Sequence, residues 1–556
     1  MHEMNSAKSG DRAEARRYSN ARLHRVFEGC SIKSSVHKGG PVPVNKLTVP
    51  LLVLALAALI YSLYGFEGPL LRDYSIYLYS GQRMAEGVPP YVSVFDHKGP
   101  LSPMLAGLGV MLSNLFGWDD VFAVRLVFFT IACLTVVAVY LLGKSVFRSQ
   151  MAGLFAALTF LGFYAYAQPA ASGPEPKTPM VLFEALSLLF MVQKRWFWAG
   201  LCGSLAFLVW QPMGIFPFVA FLLAVTRPKE ERRGAALRAL AGMMTPLVAT
   251  VAYFYYHDAL GDLLDGVLLF NVLYIARDSE SLTEHLMEPV GVIAATYSTM
   301  VLPIVIGLVA ILRLYFIRPF RYRFAPLLLS FPVVCLWSLQ DFQLGDDFFP
   351  FLPYVAVGFG AFLVFVVNRT RIPRLVAVLL GAILLGVALA NTWEVVNADS
   401  AYALKGTTID LRQQREGALE VEDRLGKDAK LASINSPQVL VLLHKKNPNP
   451  YLWLTAGVDR EIDAATPGGF EGWVQELEAS NPDAIAFFGE GQSLMFNYHL
   501  TSEHNRELDN WLNPHYHAEK IGPWWLFVKD SPASAPDRKA SIDGQQKVGS
   551  FGPVVG

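Results

Sequence analysis

Apolar residues in this chain are gathered into long unbroken blocks, and no other feature limits its fold so severely. The first block, Leu47 to Phe66, follows a polar leader rich in Lys and Arg. At about 1.5 Å of rise per residue, a helix of that length just crosses roughly 30 Å of hydrocarbon. Inside a bilayer each backbone N–H and C=O needs a partner within its own segment, so such a run has to be helical. Similar blocks recur at residues 120–142, 151–167, 179–193, 196–210, 212–226, 237–257, 289–312, 324–340, 347–367 and 373–393. The expected fold class is therefore a polytopic α-helical membrane protein with about eleven transmembrane helices. Composition agrees, since 53% of the 556 residues are hydrophobic and 17% charged, far from the balance of a soluble domain.

One more apolar stretch, Leu101 to Phe116, would reverse the charge bias of every later loop if it crossed. Lys144 and Arg148, Lys194 and Arg195, and the basic loops 227–238, 313–323 and 368–374 would then face outward, against the tendency of Lys and Arg to stay on the cytoplasmic side. It is read instead as a helix lying in the outer interface. The N-terminus is then cytoplasmic and the C-terminus extracytoplasmic, in a multi-pass protein of the cell membrane. The domains that follow are a disordered cytoplasmic leader over 1–46, a transmembrane domain over 47–396, an extracytoplasmic α/β domain over 397–530 and a disordered tail over 531–556.

Within 397–530, strand-like runs (Lys430 to Ile434, Asp483 to Phe488, Trp524 to Val528) alternate with helical patterns at Leu411 to Leu425 and Phe470 to Ala479. Asn447 to Leu454 and the histidines His499, His504, His515 and His517 are candidates for a sugar-binding or metal-binding surface. Their competing reading is as solvated surface residues, because HxH and HExxH spacings are absent. Cys133, Cys202 and Cys335 lie in apolar runs and Cys30 in the leader, so neither a disulfide framework nor a cysteine metal site is expected. The net charge of −1 gives no support to nucleic-acid binding.

Under this topology the external loops collect carboxylates on one side: Arg72 to Pro100, Gln168 to Thr178, His257 to Glu288, Gln340 to Asp347 and the C-terminal region. The stretch Arg72 to Leu101, RDYSIYLYSGQRMAEGVPPYVSVFDHKGPL, is the most informative. It joins an acid at a membrane exit (Asp73) to a cation returning toward the bilayer (Lys98), with tyrosines at helical spacing between them. That pair can hold a hydroxyl and a lipid phosphate side by side at the interface.

The order Asp73, then GQRMAEGVPPY, DHKGPL, FGWDDVFAVR and an external GPEPKT resembles the GT-C glycosyltransferases that use polyprenyl-phosphate sugars. These are the group of the protein O-mannosyltransferases and the lipid A aminoarabinose transferase. The resemblance covers roughly residues 47–393 and includes a late FFPFLP, Phe348 to Pro353. It implies about eleven spans, interfacial helices in the first external loop and an outer C-terminal domain. It also implies an inverting transfer of a mannose-like or pentose sugar from a polyprenyl-phosphate donor to a hydroxyl of a glycan, lipid or protein acceptor. The sequence departs from many relatives just after the first acid, where Tyr74, Ser75 and Ile76 stand in place of an acidic pair or an Arg.

Such a transfer needs a base for the acceptor proton and cations for the leaving phosphate. Asp73 is the expected base and Glu175 a second catalytic or metal-binding acid. Lys98, Arg125 and Arg277 are the expected phosphate ligands. Each has a plainer role open to it. Asp73 can cap the helix beginning near Tyr74, Lys98 can be a snorkelling anchor, Arg125 can pair with Asp119 or Asp120, and Glu175 with Lys177. Glu184, inside an expected span, faces a cavity or marks a misplaced boundary. The sequence specifies no cofactor, and Asp346 and Asp347 leave a divalent cation possible. A transporter or flippase of lipid-linked sugars is the alternative function; it calls for paired discontinuous helices and midplane charges.

Overall fold

The computed structural model describes residues 47–274, 282–317, 322–338, 342, 344–404, 410–454, 457–487 and 500–530. Its first helices are α1 (Thr48–Ser62), α2 (Arg72–Ala85), α3 (Leu101–Phe116), α4 (Asp120–Phe147), α5 (Gln150–Leu161) and α6 (Tyr164–Ser172). They continue as α7 (Thr178–Val192), α8 (Trp196–Val209), α9 (Ile215–Val225), α10 (Lys229–Tyr256), α11 (Leu282–Thr296), α12 (Val301–Leu314), α13 (Ala325–Ser338), α14 (Leu352–Val367) and α15 (Pro373–Leu404).

Every expected apolar block coincides with a helix or a bent pair. Among the described residues, four helices are long and apolar enough to cross a membrane: Asp120–Phe147, Lys229–Tyr256, Gly345–Val367 and Pro373–Asn397. Two more candidates are bent pairs, α5 with α6 at 65° and Met287–Thr296 with Ser298–Leu314 at 100°. The remaining blocks are shorter apolar helices, and Leu101–Phe116 is one of them.

Hydropathy did not disclose the bends. At the first, the helix breaks at Gly162 and Phe163, and the freed carbonyl of Gly162 accepts a hydrogen bond from Asn391 Nδ2 at 2.8 Å. A side chain thus replaces the partner the broken helix no longer supplies. Elsewhere helices pack through small residues. A Cβ on Gly307 of α12 would lie 2.4 Å from the carbonyl oxygen of Val355 in α14, and one on Gly358 2.2 Å from that of Gly307, so the two backbones touch. Tyr140, Phe160, Tyr166, Phe216 and Tyr354 are fully buried in the core that results.

The chain divides into two compact units, residues 1–269 with 277–411, and residues 270–276 with 412–556. In the second unit, strands β1 (Leu431–Ile434), β2 (Ala484–Phe487), β3 (Tyr516–Ile521) and β4 (Trp524–Lys529) form a sheet in the order β1-β2-β4-β3. β1 pairs with β2 in parallel and the other pairs are antiparallel. The sequence reading found β1, β2 and β4 but not β3. β3 is an edge strand with only its end residues Tyr516 and Ile521 buried, and the His, Glu and Lys between them leave no apolar run to read.

Candidate active site

Asp73 lies in the first turn of α2, but it does not cap that helix. The N-cap position is Leu71, which makes no side-chain cap. The carboxylate instead accepts from Arg72 Nε at 3.0 Å and keeps 45% of its side-chain surface open, although protein groups surround it closely. The other faces of α2 are buried, with Tyr74, Tyr77 and Ile76 packed inward.

Lys98 sits in a turn held from several directions. Asp96 Oδ1 accepts the backbone N–H of His97 at 2.7 Å and that of Lys98 at 3.2 Å. The Lys98 carbonyl accepts from Tyr91 Oη at 2.6 Å, and the His97 carbonyl from Gln211 Nε2 at 2.7 Å. Gly99 donates to the Val209 carbonyl at 3.2 Å, and a Cβ there would fall 2.1 Å from the Leu208 oxygen. Only glycine permits that approach, which explains the Gly of the HKGP turn. The Lys98 side chain has no carboxylate within 4 Å among the described residues, while its charge acts on Asp73, Glu175 and Asp346.

Glu175 comes to the same cluster from the loop between α6 and α7. Pro176 and Gly173 fix that loop, their carbonyls accepting from Ser102 Oγ at 2.7 Å and Arg125 Nε at 3.3 Å. Glu175 is 7% exposed, and its Oε1 accepts the Lys177 N–H at 3.1 Å. The Lys177 ammonium, however, turns away to Asp346 at 2.8 Å and to Asp347, under the ring of Trp210 at 5.3 Å. Asp347 Oδ2 also accepts the Leu344 N–H at 2.9 Å, and Tyr297 Oη donates to the Gly345 carbonyl at 2.7 Å.

These surroundings drive the acids apart. For Asp73, burial favours the neutral form, but Lys98 and Arg72 outweigh it and hold the carboxyl below its usual range. For Glu175, burial and the neighbouring Asp346 carry the carboxyl up to about 8. His97 is lowered to about 4, chiefly by burial. Lys177 is raised, because Asp346 and Asp347 more than offset its burial. The surroundings thus shift the Asp73 and Glu175 carboxyls in opposite directions.

Asp73, Lys98 and Glu175 are therefore brought together. Arg125 is not a free cation. It is fully buried, and its guanidinium donates to the carbonyls of Gly173, Phe66, Gly68 (2.8 Å) and Pro69 (3.4 Å). It ties the chain entering α2 to the loop that carries Glu175. Asp119 is meanwhile the N-cap of α4, and Asp120 accepts from Gln82. Arg277 lies outside the described residues. Glu184 is fully buried in α7, and neither carboxyl oxygen has a hydrogen-bond partner among the described residues. Sequence reasoning missed the Lys177 bridge. It leaves Lys177 open as one of two readings of Glu175, whereas the ammonium meets Asp346 and Asp347, the latter 170 positions away.

In the second unit the histidines have ordinary partners. His504 stacks on Phe470 with 4.3 Å between ring centroids and bonds Asp459 at 2.9 Å, His515 bonds the Trp511 carbonyl, and His517 bonds Asp530. His499 lies outside the described residues. Asn447 and Asn449 bond the local backbone. Among the described residues no three His, Cys, Asp or Glu side chains gather as a metal site.

Comparison with known proteins bears on the fold. Residues 97–256 match the sequence model of the family described as dolichyl-phosphate-mannose-protein mannosyltransferase. No curated protein matches the chain. Among solved structures the chain is similar to ArnT from Cupriavidus metallidurans bound to undecaprenyl phosphate. The identity is 12% and the TM-score 0.59, covering 88% of this chain and 100% of that one. The apo state of the same protein matches at 13% identity and TM-score 0.57, over 86% and 97% of the two chains. The fold resembles that of the GT-C membrane glycosyltransferases. The resemblance read between residues 47 and 393 holds at that level, and the chain also has a small sheet-containing C-terminal region.

Proposed function

We propose that this protein is an inverting membrane glycosyltransferase that moves a sugar from a polyprenyl-phosphate donor to an acceptor hydroxyl on the extracytoplasmic side of the membrane. What supports the reading is that α2, the turn after it and the loop before α7 bring Asp73, Lys98 and Glu175 within electrostatic reach of one another, with the two carboxyls shifted in opposite directions. Ionised Asp73 takes the proton of the acceptor hydroxyl as its oxygen attacks the anomeric carbon. The bond from that carbon to the phosphate oxygen breaks on the opposite face, and the polyprenyl phosphate leaves with the electron pair. Lys98 meets the charge that develops on it. Glu175, carrying a proton, is suited to donate a hydrogen bond to the donor's phosphate or sugar rather than to act as base. Arg125 keeps Asp73 and Glu175 in register without touching substrate.

Two further points support this reading. The sequence family matched over 97–256 is named for a lipid-phosphate-linked mannose donor, and the similar ArnT structure holds undecaprenyl phosphate. The organisation proposed with it keeps the leader at 1–46 cytoplasmic and the region 397–530 outside. The test is turnover of defined polyprenyl-phosphate sugars by the purified, detergent-solubilised protein with simple glycoside and lipid acceptors. Stoichiometric release of polyprenyl phosphate and glycosylated acceptor is expected. Exchange of intact donor across a vesicle membrane without bond cleavage would favour a flippase instead.

A further inference from the structure

From the turn at 91–99 we infer that Asp96 and Tyr91 form a clamp whose task is to aim the Lys98 ammonium at the donor phosphate. The inference rests on the role proposed for Lys98 and adds two residues to it. Asp96 is buried, and a single oxygen, Oδ1, accepts two successive backbone N–H groups, those of His97 and Lys98. That geometry belongs to short side chains with an sp² oxygen; Asp and Asn make it, whereas a Glu oxygen stands one methylene too far. Asp96 also lines one small pocket with Tyr77 of α2 and Tyr91, which places the turn against the helix carrying Asp73.

Tyr91 works from the other side. Its backbone has φ +70°, a left-handed conformation that is unfavourable for a bulky residue and persists only when surrounding contacts impose it. Here the ring packs on Phe254 at 5.7 Å and the hydroxyl reaches the Lys98 carbonyl at 2.6 Å. Lys98 therefore has its N–H fixed by Asp96 and its C=O fixed by Tyr91. Only the side chain beyond them is left to move, toward the space shared with Asp73, Glu175 and Asp346. The two-residue spacing of Asp and Lys in DHK is on this account a requirement of the turn rather than of charge.

Binding of a short polyprenyl monophosphate to the purified full-length protein tests this directly. Asp96→Ala and Lys98→Ala are each expected to weaken binding by about tenfold or more, and Tyr91→Phe by a smaller factor. Asp96→Asn, which keeps the acceptor oxygen and loses the charge, should recover most of the binding lost in Asp96→Ala, whereas Asp96→Glu should not. In a Lys98→Ala background neither clamp substitution should cost more, because a residue that acts through Lys98 has nothing left to aim. Asp96→Asn binding as poorly as Asp96→Ala, or full additivity with Lys98→Ala, would overturn the clamp while leaving Lys98 as phosphate ligand. Unchanged binding in Lys98→Ala would remove the role of Lys98 itself, and the clamp with it.

Discussion

Asp73 and Glu175 are carboxyls in one cluster whose neighbours shift them in opposite directions. Asp73 has Arg72 and Lys98 beside it and stays ionised; Glu175 has burial and Asp346 and keeps its proton up to about 8. Replacing Glu175 by Gln should remove any loss of activity on the alkaline side near pH 8 that the parent shows, because Gln donates a hydrogen bond at every pH. Stability carries the same signature. An unfolded Glu loses its proton near 4.5 while the folded one holds it to about 8, so the unfolded state binds fewer protons in that window and stability falls as pH rises through it. The thermal midpoint of the parent in detergent should fall over that range, and that of Glu175→Gln should fall less. Lys177 is the stabilising counterpart. Truncation to Met leaves Asp346 and Asp347 without their cation, and the cost should be about 3–5 kcal/mol, the range for breaking a buried pair, read as a large drop in midpoint. Asp73, Lys98 and Glu175 were legible in the sequence because each stands out locally: an acid at a membrane exit, a Lys before Gly-Pro, an acid between prolines. Lys177 was not, since its role depends on a partner segment that no local pattern identifies.

At the scale of elements, the two broken helices serve the cluster. The breaks adjoin each other: Phe163 packs on Tyr297 with 5.9 Å between centroids, and Tyr164 Oη donates to the Thr296 carbonyl. From there Tyr297 reaches the Gly345 carbonyl at the start of the turn that carries Asp346 and Asp347. The discontinuities thus deliver an acidic turn to Lys177, and aromatic rings line them. Tyr297→Phe removes only the hydroxyl that fixes this turn. It should reduce transfer several-fold while lowering stability by about 1 kcal/mol, the net worth of one hydrogen bond, measured as kcat and thermal midpoint of the same preparation. Helix positions were readable from hydropathy because burial in lipid or core demands long apolar runs. Direction was not, because a run of the same composition is compatible with a straight or a bent path, and Asn391 meets the freed carbonyl of Gly162 from far along the chain.

For the whole molecule, the fold orders the chain so that distant loops supply one site: the turn after α2, the loop before α7 and the turn before α14. The charge bias of the loops yields a topology that labelling can check. In the parent, Cys133 and Cys202 are buried and Cys335 partly so. In a Cys30→Ser background, a membrane-impermeant maleimide applied to intact cells should label Glu476→Cys, and Arg371→Cys only after permeabilisation; the opposite pattern would invert the orientation. The central claim is that Asp73 takes the acceptor's proton during sugar transfer, and the most direct measurement compares turnover and donor binding for Asp73→Asn against the parent. The substitution keeps the shape of the side chain, and Asp73 is not the cap of α2, so the helix start should survive it. Transfer from a polyprenyl-phosphate sugar is expected to fall by roughly 10²- to 10⁴-fold, the span of general-base catalysis, with donor binding retained. A folded Asp73→Asn protein that still transfers sugar within a few-fold of the parent would contradict the account.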